Sequence, residues 1–223
     1  MANVRILEIK KSIFENNDLE AERLRADLKA QNTFLINLMS SPGSGKTSSV
    51  LRIIERLKGK YRIGVMEADI DSRVDAEAVA RTGVPAIQIH TGGMCHLDAG
   101  MTRQGLESPE MRGLGLIILE NVGNLVCPAE FDTGACKNMM ILSVPEGDDK
   151  PLKYPLMFSV ADLLLINKID VLEFFDFDIG AVRERAEKLR PGITVIDVSA
   201  KQGIGFGCVA AWIEQEIEAW KRG

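Results

Sequence analysis

The stretch Ser40-Ser-Pro-Gly-Ser-Gly-Lys-Thr47 decides the fold of this chain. A strand-like apolar run over residues 33–39 leads into it, and a helical pattern over residues 46–58 follows. In such a strand–loop–helix unit, backbone N–H groups surround a β-phosphate, the lysine reaches the β- and γ-phosphate oxygens, and the threonine hydroxyl binds Mg²⁺. The stretch therefore predicts a phosphate-binding loop for a nucleoside triphosphate. The expected contacts are Gly43, Ser44, Gly45, Lys46, Thr47 and Ser48.

One position of this loop departs from the usual motif, because Ser40 stands where a glycine is expected. Gly43 and Gly45 still supply the permissive backbone that the loop requires. A chance match in a surface loop is the alternative, and the flanking strand and helix patterns argue against it.

Composition limits the possible function classes. The chain has 223 residues, of which 46% are hydrophobic, so one sizeable core is expected without support from disulfides. A net charge of −5 argues against binding to nucleic acid or an anionic membrane surface, because both require a basic face. No apolar run approaches the roughly 20 residues of a spanning helix, and the N-terminus does not resemble a signal peptide. With scattered cysteines, these features predict a cytoplasmic protein.

The order of elements predicts the fold class. An N-terminal helical extension over residues 1–30, with a helix starting at Asn17 or Asp18 and ending near Gln31, precedes a single domain over residues 31–223. In that domain strand-like and helix-like segments alternate, and several strands are continuous apolar runs. Such a pattern is typical of an α/β fold with a doubly wound, mostly parallel sheet, as in P-loop NTPases. Strands are predicted near 33–39, 61–67, 84–90, 114–120, 139–144, 160–166 and 193–198, and helices near 46–58, 73–82, 97–105, 178–189 and 206–221.

Two segments indicate recognition of guanine. Asn167-Lys168-Ile-Asp170 follows a buried strand, and its aspartate can accept hydrogen bonds from N1–H and the 2-amine of guanine, which adenine lacks. The four-residue motif is weak by itself, because its charged residues are also compatible with a solvated loop. Its position after the phosphate-binding loop strengthens it, as does the segment at Ser199 and Ala200, which resembles a second guanine-contact loop.

Acidic residues after two further strands predict a magnesium and γ-phosphate site. Glu120 and Gly123 lie in Glu120-Asn-Val-Gly123, a layout typical of a γ-phosphate sensor, although aspartate is the commoner acid. Glu120 is expected to bind Mg²⁺ with Thr47, and the Gly123 N–H to contact the γ-phosphate. Asp69 and Asp75 are further magnesium candidates in an acidic segment where the inward-facing residue, among these and Asp71, is left open. Lys46, Thr47 and Glu120 are the expected catalytic residues.

A second candidate site contains softer ligands. Cys95 and His96 are adjacent, and Cys127 lies four residues after Gly123. Thiolate and imidazole favour Ni²⁺ or Zn²⁺ over Mg²⁺. Three ligands leave one position open, or require another chain. The alternative is that these cysteines pack as small hydrophobic residues, an alternative left open for Cys127 and favoured for Cys136 and Cys208.

Together these segments resemble the HypB family of hydrogenase nickel-incorporation GTPases, within the signal-recognition-particle/MinD (SIMIBI) class of P-loop proteins. The resemblance covers roughly residues 30–220. Its most specific parts are the segments around Cys95-His96 and from Glu120 to Pro128. Further matching segments are 41–47, 146–155 and 167–170.

The resemblance implies a GTP-dependent homodimer that binds GTP or GDP, Mg²⁺, and Ni²⁺ or Zn²⁺. It implies cooperation with a zinc- and nickel-binding hydrogenase accessory protein. It also implies that a [NiFe] hydrogenase large-subunit precursor is an indirect partner. Cys95, His96 and Cys127 would bind metal near the dimer interface, and Lys153 would contact nucleotide across it, with a solvated lysine as the alternative. Residues 1–30 contain neither Cys nor His, so strong nickel storage is not expected.

The sequence also predicts slow GTP hydrolysis, because Asn124 stands where many GTPases place a longer, water-orienting glutamine. Three alternatives remain at this point. One is a metal-delivery GTPase of the urease accessory type, and another is a scaffold that dimerises with GTP and holds structural zinc. The third, a small-molecule kinase, would need an acceptor pocket that no segment indicates.

Overall fold

The computed structural model describes residues 9–69 and 78–222. Within these ranges, seven strands form one sheet in the order β3-β2-β4-β1-β5-β6-β7, and every neighbouring pair is parallel. The predicted doubly wound sheet is therefore confirmed, with no antiparallel strand in the described ranges. The strands are β1 Phe34–Ser40, β2 Ile63–Asp69, β3 Ala86–His90, β4 Leu116–Glu120, β5 Lys137–Ser143, β6 Leu163–Asn167 and β7 Thr194–Asp197.

Helices and short 3₁₀ turns connect these strands. The 3₁₀ turns are Pro109–Met111, Val144–Glu146 and Ile169–Phe174. The α-helices are α1 Ile9–Ala30, α2 Lys46–Leu57, α3 Ala99–Leu106, α4 Cys127–Glu130, α5 Lys150–Lys153, α6 Pro155–Ser159, α7 Ile179–Leu189 and α8 Phe206–Arg222.

The central strands are apolar on both faces, which explains why helices cover the sheet on both sides. Alternate residues of β1 enter different hydrophobic clusters. Phe34 and Ile36 face α2 and α8, whereas Leu35 packs with Leu24 and Leu28 of α1. A third cluster covers β5 and β6 with residues of α6 and α7.

The first helix differs from its prediction. It begins no later than Ile9, so Asn17 lies in its interior and does not cap its N-terminus. The predicted start is therefore wrong, because the Asn17 side chain bonds to distant backbone groups instead. Ala21, Leu24 and Leu28 of α1 are buried, and the helix packs on the sheet and on α3.

The predicted helix over residues 73–82 lies partly outside the described residues, and the described part is helical at residues 78–80. No helix in the described ranges is both long and apolar enough to cross a membrane. All the motif segments follow the carboxyl ends of strands. Ligands of open α/β sheets bind at this edge.

Candidate nucleotide and metal sites

The phosphate-binding loop lies between β1 and α2. Gly43 and Gly45 have φ angles of 73° and 101°, which only glycine adopts without strain. Ser40, in contrast, is the last residue of β1, and its hydroxyl accepts a hydrogen bond from Ser44 Oγ at 2.6 Å. Ser40 has no positive φ, so serine fits where the motif usually has glycine. Lys46 Nζ lies 3.5 Å from the carbonyl oxygen of Ser41.

The predicted guanine-binding segment is joined directly to this loop. Asn167, which is buried, donates to the carbonyl of Ser44 at 2.8 Å and accepts from the N–H of Ala200 at 3.0 Å. Lys168 adopts the left-handed conformation and donates to the Gly43 carbonyl at 2.6 Å. The two predicted guanine loops and the phosphate loop therefore form one connected surface.

Asp170, predicted to recognise the base, is held by a residue of the predicted second guanine loop. The hydroxyl of Ser199, itself fully buried, donates to Asp170 Oδ1 at 2.6 Å. This bond orients the carboxylate and leaves its other oxygen to accept from a donor such as guanine N1–H.

The proposed magnesium ligands come together beside the loop. Thr47 Oγ1 donates to Glu120 Oε1 at 3.1 Å, and Glu120 is buried at the end of β4. Gly123 lies against Pro42, because a Cβ on Gly123 would stand 3.1–3.2 Å from Pro42 atoms. Both contacts place the 120–123 segment against the phosphate-binding loop, as a γ-phosphate sensor requires.

Sequence reasoning missed one acid here. Glu67 of β2 is the register partner of Glu120, so both side chains leave the sheet on the same face. Glu67 is also buried, at 4% exposure. The available signal in the sequence was the position of Glu67 near the end of a predicted strand, shortly before Asp69. Asp69 itself ends β2, while Asp71 and Asp75 lie outside the described residues.

The two predicted cysteines meet at the same edge of the sheet. Cys95, after β3, donates to the sulfur of Cys127 at 2.7 Å. Cys127 begins α4, and its hydrogen bond with Cys95, with burial as a second cause, raises the pKa of the Cys127 thiol. Both cysteines are free thiols, and two adjacent sulfur atoms match the preference of soft divalent metals.

His96 lies beside this pair but turns towards an aromatic ring. Its Nδ1 is 4.0 Å from Cys95 Sγ, and its ring stacks on Phe131 with centroids 3.8 Å apart. Burial lowers the pKa of His96, which keeps the imidazole neutral and able to ligate, although Asp98 and Glu130 oppose this effect. In the described part of the chain no three His, Cys, Asp or Glu side chains form a complete metal-holding group.

Asn124 connects the sensor segment with the thiol pair. Its Nδ2 donates to Cys127 Sγ at 3.6 Å, and its Oδ1 accepts from the N–H of Val126 at 2.7 Å. The amide therefore faces the cysteine. Asn124 stands at the position expected for a water-orienting residue, but its side chain contacts the candidate metal site instead.

Two predictions about the remaining residues have different outcomes. Cys136 packs against the core and accepts from the N–H of Leu35, and burial raises the pKa of its thiol to about 11. Cys208 is exposed at the first turn of α8, so its predicted packing as a small hydrophobic residue is wrong. The helix turns that residue to solvent while Phe206 and Val209 face the core.

The segment 146–155 contributes a residue that sequence reasoning did not assign. Glu146 accepts a short hydrogen bond from the hydroxyl of Ser41 in the phosphate-binding loop, and it also bonds the N–H and hydroxyl of Ser143. The Ser-x-x-Glu spacing of a capping box was the available signal. Lys153 pairs with Asp149 at 2.5 Å and is 59% exposed, so its proposed contact across a dimer stays a prediction.

Comparisons with known proteins agree with this geometry. Residues 34–197 match the family described as "CobW/HypB/UreG, nucleotide-binding domain". The hydrogenase maturation factor HypB of Azotobacter vinelandii is 48% identical over 97% of this chain and 71% of that protein. The structure of HypB from Helicobacter pylori in complex with nickel is 35% identical, with a TM-score of 0.85 over 92% of this chain and 96% of that one. HypB from Archaeoglobus fulgidus is 37% identical, with a TM-score of 0.84 over 91% and 99%.

A parallel sheet with a phosphate-binding loop, joined to an Asn-Lys-x-Asp segment, defines the class of P-loop GTPases. The pair of thiols beside the predicted γ-phosphate sensor distinguishes this chain from P-loop GTPases in general. The chain belongs to the HypB branch of the CobW/HypB/UreG family.

Proposed function

We propose that this chain is a GTPase that handles nickel during maturation of a [NiFe] hydrogenase. One observation carries the proposal: a single segment joins the nucleotide site to the thiol site. Glu120, at one end, contacts Thr47 of the phosphate-binding loop. Cys127, at the other end, contacts Cys95. The names of the relatives, which describe hydrogenase maturation factors, support the same role.

The nucleotide site is suited to GTP hydrolysis with magnesium. Thr47 and Glu120 offer a hydroxyl and a carboxylate, the hard oxygen ligands that Mg²⁺ prefers. A bound Mg²⁺ would neutralise charge on the β- and γ-phosphates. Lys46 and the loop N–H groups would stabilise the same charge, and Asp170 would select guanine. The Asn124 amide donates to Cys127 and does not face the attacking water. We therefore expect slow intrinsic GTP hydrolysis.

The thiol site is suited to a soft divalent cargo ion. Cys95, Cys127 and a neutral His96 supply sulfur and nitrogen ligands for Ni²⁺ or Zn²⁺. Because these are fewer than four, a second copy of the chain or an accessory protein would complete the coordination. A GTP-dependent homodimer, a zinc- and nickel-binding accessory protein and the hydrogenase large-subunit precursor are the partners that fit this arrangement.

A titration of the intact protein with Ni²⁺ and with Zn²⁺, in GDP and in a non-hydrolysable GTP analogue, tests the proposal. We expect metal affinity to differ between the two nucleotide states, because one segment contacts both ligands. Cys127→Ala should abolish the tight site in both states, and Cys208→Ala, which removes an exposed thiol, should leave it unchanged. Equal metal affinities in both nucleotide states would contradict a metal-delivery function. They would favour the alternative of a scaffold that holds structural metal. Release of metal on GTP turnover separates the same two functions.

A further inference from the structure

Helix α1 carries a buried asparagine, Asn17, whose side chain bonds the two chain segments that follow the two halves of the thiol site. Asn17 Oδ1 accepts from the N–H of Ala99 at 3.0 Å, and Asn17 Nδ2 donates to the carbonyl of Asp132 at 2.9 Å. Ala99 follows His96 closely, and Asp132 follows Cys127 closely. One carboxamide therefore joins two segments that are distant in sequence.

Other residues of α1 hold the second segment in place. Phe131 contacts both Phe14 and His96, with ring centroids 4.9 and 3.8 Å apart. Arg25 forms two hydrogen bonds with the carboxylate of Asp132, at 2.9 and 2.8 Å. Helix α1 thus contacts the chain just after Cys95 and His96, and also just after Cys127.

The placement of Asn17 is not explained by the helix itself. Asparagine is a poor helix former, and a buried carboxamide is destabilising unless it is hydrogen-bonded. Asn17 is 9% exposed, and its two bonds both leave the helix. Helix α1 also lies outside residues 34–197, which match the nucleotide-binding domain. These observations point to a task at the thiol site and not at the nucleotide.

We infer that Asn17 is a positioning residue for the thiol site. It sets the separation between the Cys95–His96 half and the Cys127 half, and so prepares them to bind one soft divalent ion. Ligands held at a fixed separation bind more tightly, because less conformational entropy is lost when the ion is bound. The inference rests on the metal-binding role proposed above.

Asn17→Leu, which removes both hydrogen bonds at similar volume, tests the inference. Zn²⁺ and Ni²⁺ affinities are measured by competition with a chromophoric chelator, with GTP affinity measured in parallel. We expect the metal dissociation constants to rise roughly tenfold or more, as for other residues that orient ligands, and GTP affinity to stay unchanged. Asn17→Asp provides a second variant, because it keeps the acceptor for Ala99 and loses the donor to Asp132. It should also raise the metal dissociation constants, because a carboxylate oxygen then faces the Asp132 carbonyl oxygen and repels it.

The matched control is Asn16→Leu, since Asn16 is the exposed neighbour on the same helix. It should bind metal like the unaltered chain. A double-mutant cycle separates positioning from general destabilisation. In a Cys127→Ala background, Asn17→Leu should have no further effect on the weak metal binding that remains after loss of the tight site, because the two halves no longer share an ion.

Two results would overturn the inference. One is a folded Asn17→Leu or Asn17→Asp protein that binds metal as tightly as the unaltered chain. The other is an equal loss in the Cys127→Ala background, which would indicate an indirect effect. If Cys127→Ala itself leaves metal binding unchanged, the metal-binding role fails instead. If both Asn17 variants unfold while Asn16→Leu folds, Asn17 is a core residue and the inference is rejected.

Discussion

At the residue scale, the carboxylate that we expect to select the base is held by one hydroxyl. Asp170 is fixed by Ser199 at 2.6 Å, so it is prepared to accept from the two donors of guanine. Replacing it with asparagine substitutes a donor for an acceptor. We expect Asp170→Asn to weaken GTP binding by about 100-fold or more and to favour xanthosine triphosphate, whose 2-oxo group accepts. Nucleotide competition measures this change.

Asp176→Asn is the control for this experiment, because it makes the same change at an exposed residue of the following loop. It should leave nucleotide preference unaltered. ATP bound by the unaltered chain as tightly as GTP would contradict the assignment of Asp170.

The Cys136 thiol gives a pH-dependent contribution to stability. Burial raises its pKa from 9.0 to about 11, so the unfolded chain loses this proton first as the pH rises. Its contribution is complete below pH 9 and decreases between pH 9 and pH 11. The size is on the order of 3 kcal/mol over this whole range, since each pKa unit corresponds to about 1.4 kcal/mol. Urea unfolding at pH 8 and pH 10.5 should show a smaller pH-dependent loss for Cys136→Ala than for the unaltered chain.

Cys208→Ala serves as the control, because Cys208 is exposed. It should keep the pH dependence of the unaltered chain. An equal pH dependence in Cys136→Ala would mean that the thiolate is tolerated inside the fold.

At the scale of elements, the phosphate-binding loop is held by neighbouring strand ends as well as by its own glycines. Glu146 after β5 bonds to Ser41, and Asn167 at the end of β6 bonds to Ser44. Glu146→Ala leaves the Ser41 hydroxyl and the Ser143 N–H without this acceptor. We expect a loss of about 1–3 kcal/mol in the free energy of unfolding together with weaker nucleotide binding. Chemical denaturation and nucleotide titration measure the two effects.

Glu173→Ala is the matched control, because Glu173 is an exposed acid in the 3₁₀ turn Ile169–Phe174. It should change neither quantity. Unaltered nucleotide affinity in Glu146→Ala would show that the loop keeps its shape through its glycines and the Asn167 bond.

The same elements show how far sequence reasoning extends. All seven strands were predicted, because apolar runs buried on both faces leave a strong signal. Helices α4, α5 and α6 were not predicted, since elements of four or five residues are too short for a 3.6-residue period. The start of α1 was wrong because a capping residue type was used for tertiary contacts. Partners such as Asn17 and Asp132 are 115 residues apart, and local spacing does not encode them.

At the scale of the whole molecule, two chemically different sites share one edge of the sheet. The hard oxygen ligands gather around Thr47 and Glu120, whereas the sulfur ligands gather around Cys95 and Cys127. The order of the strands produces this arrangement. Cys95 follows β3 and the segment 120–127 follows β4, and these two strands are separated in the sheet by β2 alone. The segment 120–127 therefore runs from the proposed nucleotide site to the proposed metal site.

Coupling between the sites should depend on the contact of Gly123 with the phosphate-binding loop. A Cβ at this position would meet Pro42 backbone atoms at 3.2 Å, a tight contact that the segment and the loop can relieve by separating by a few tenths of an ångström, so we expect Gly123→Ala to loosen this contact. In the unaltered chain we expect a coupling free energy of about 1–3 kcal/mol between nucleotide and metal, equal in both directions. In Gly123→Ala the metal affinities in GDP and in the GTP analogue should converge, while both thiols remain.

Gly115→Ala is the control, because its Cβ would have nothing within 4 Å. A full cycle of metal titrations at each nucleotide state, and nucleotide titrations at each metal state, measures the coupling. If Gly123→Ala keeps the coupling of the unaltered chain, the signal does not pass through the contact between the sensor and the loop.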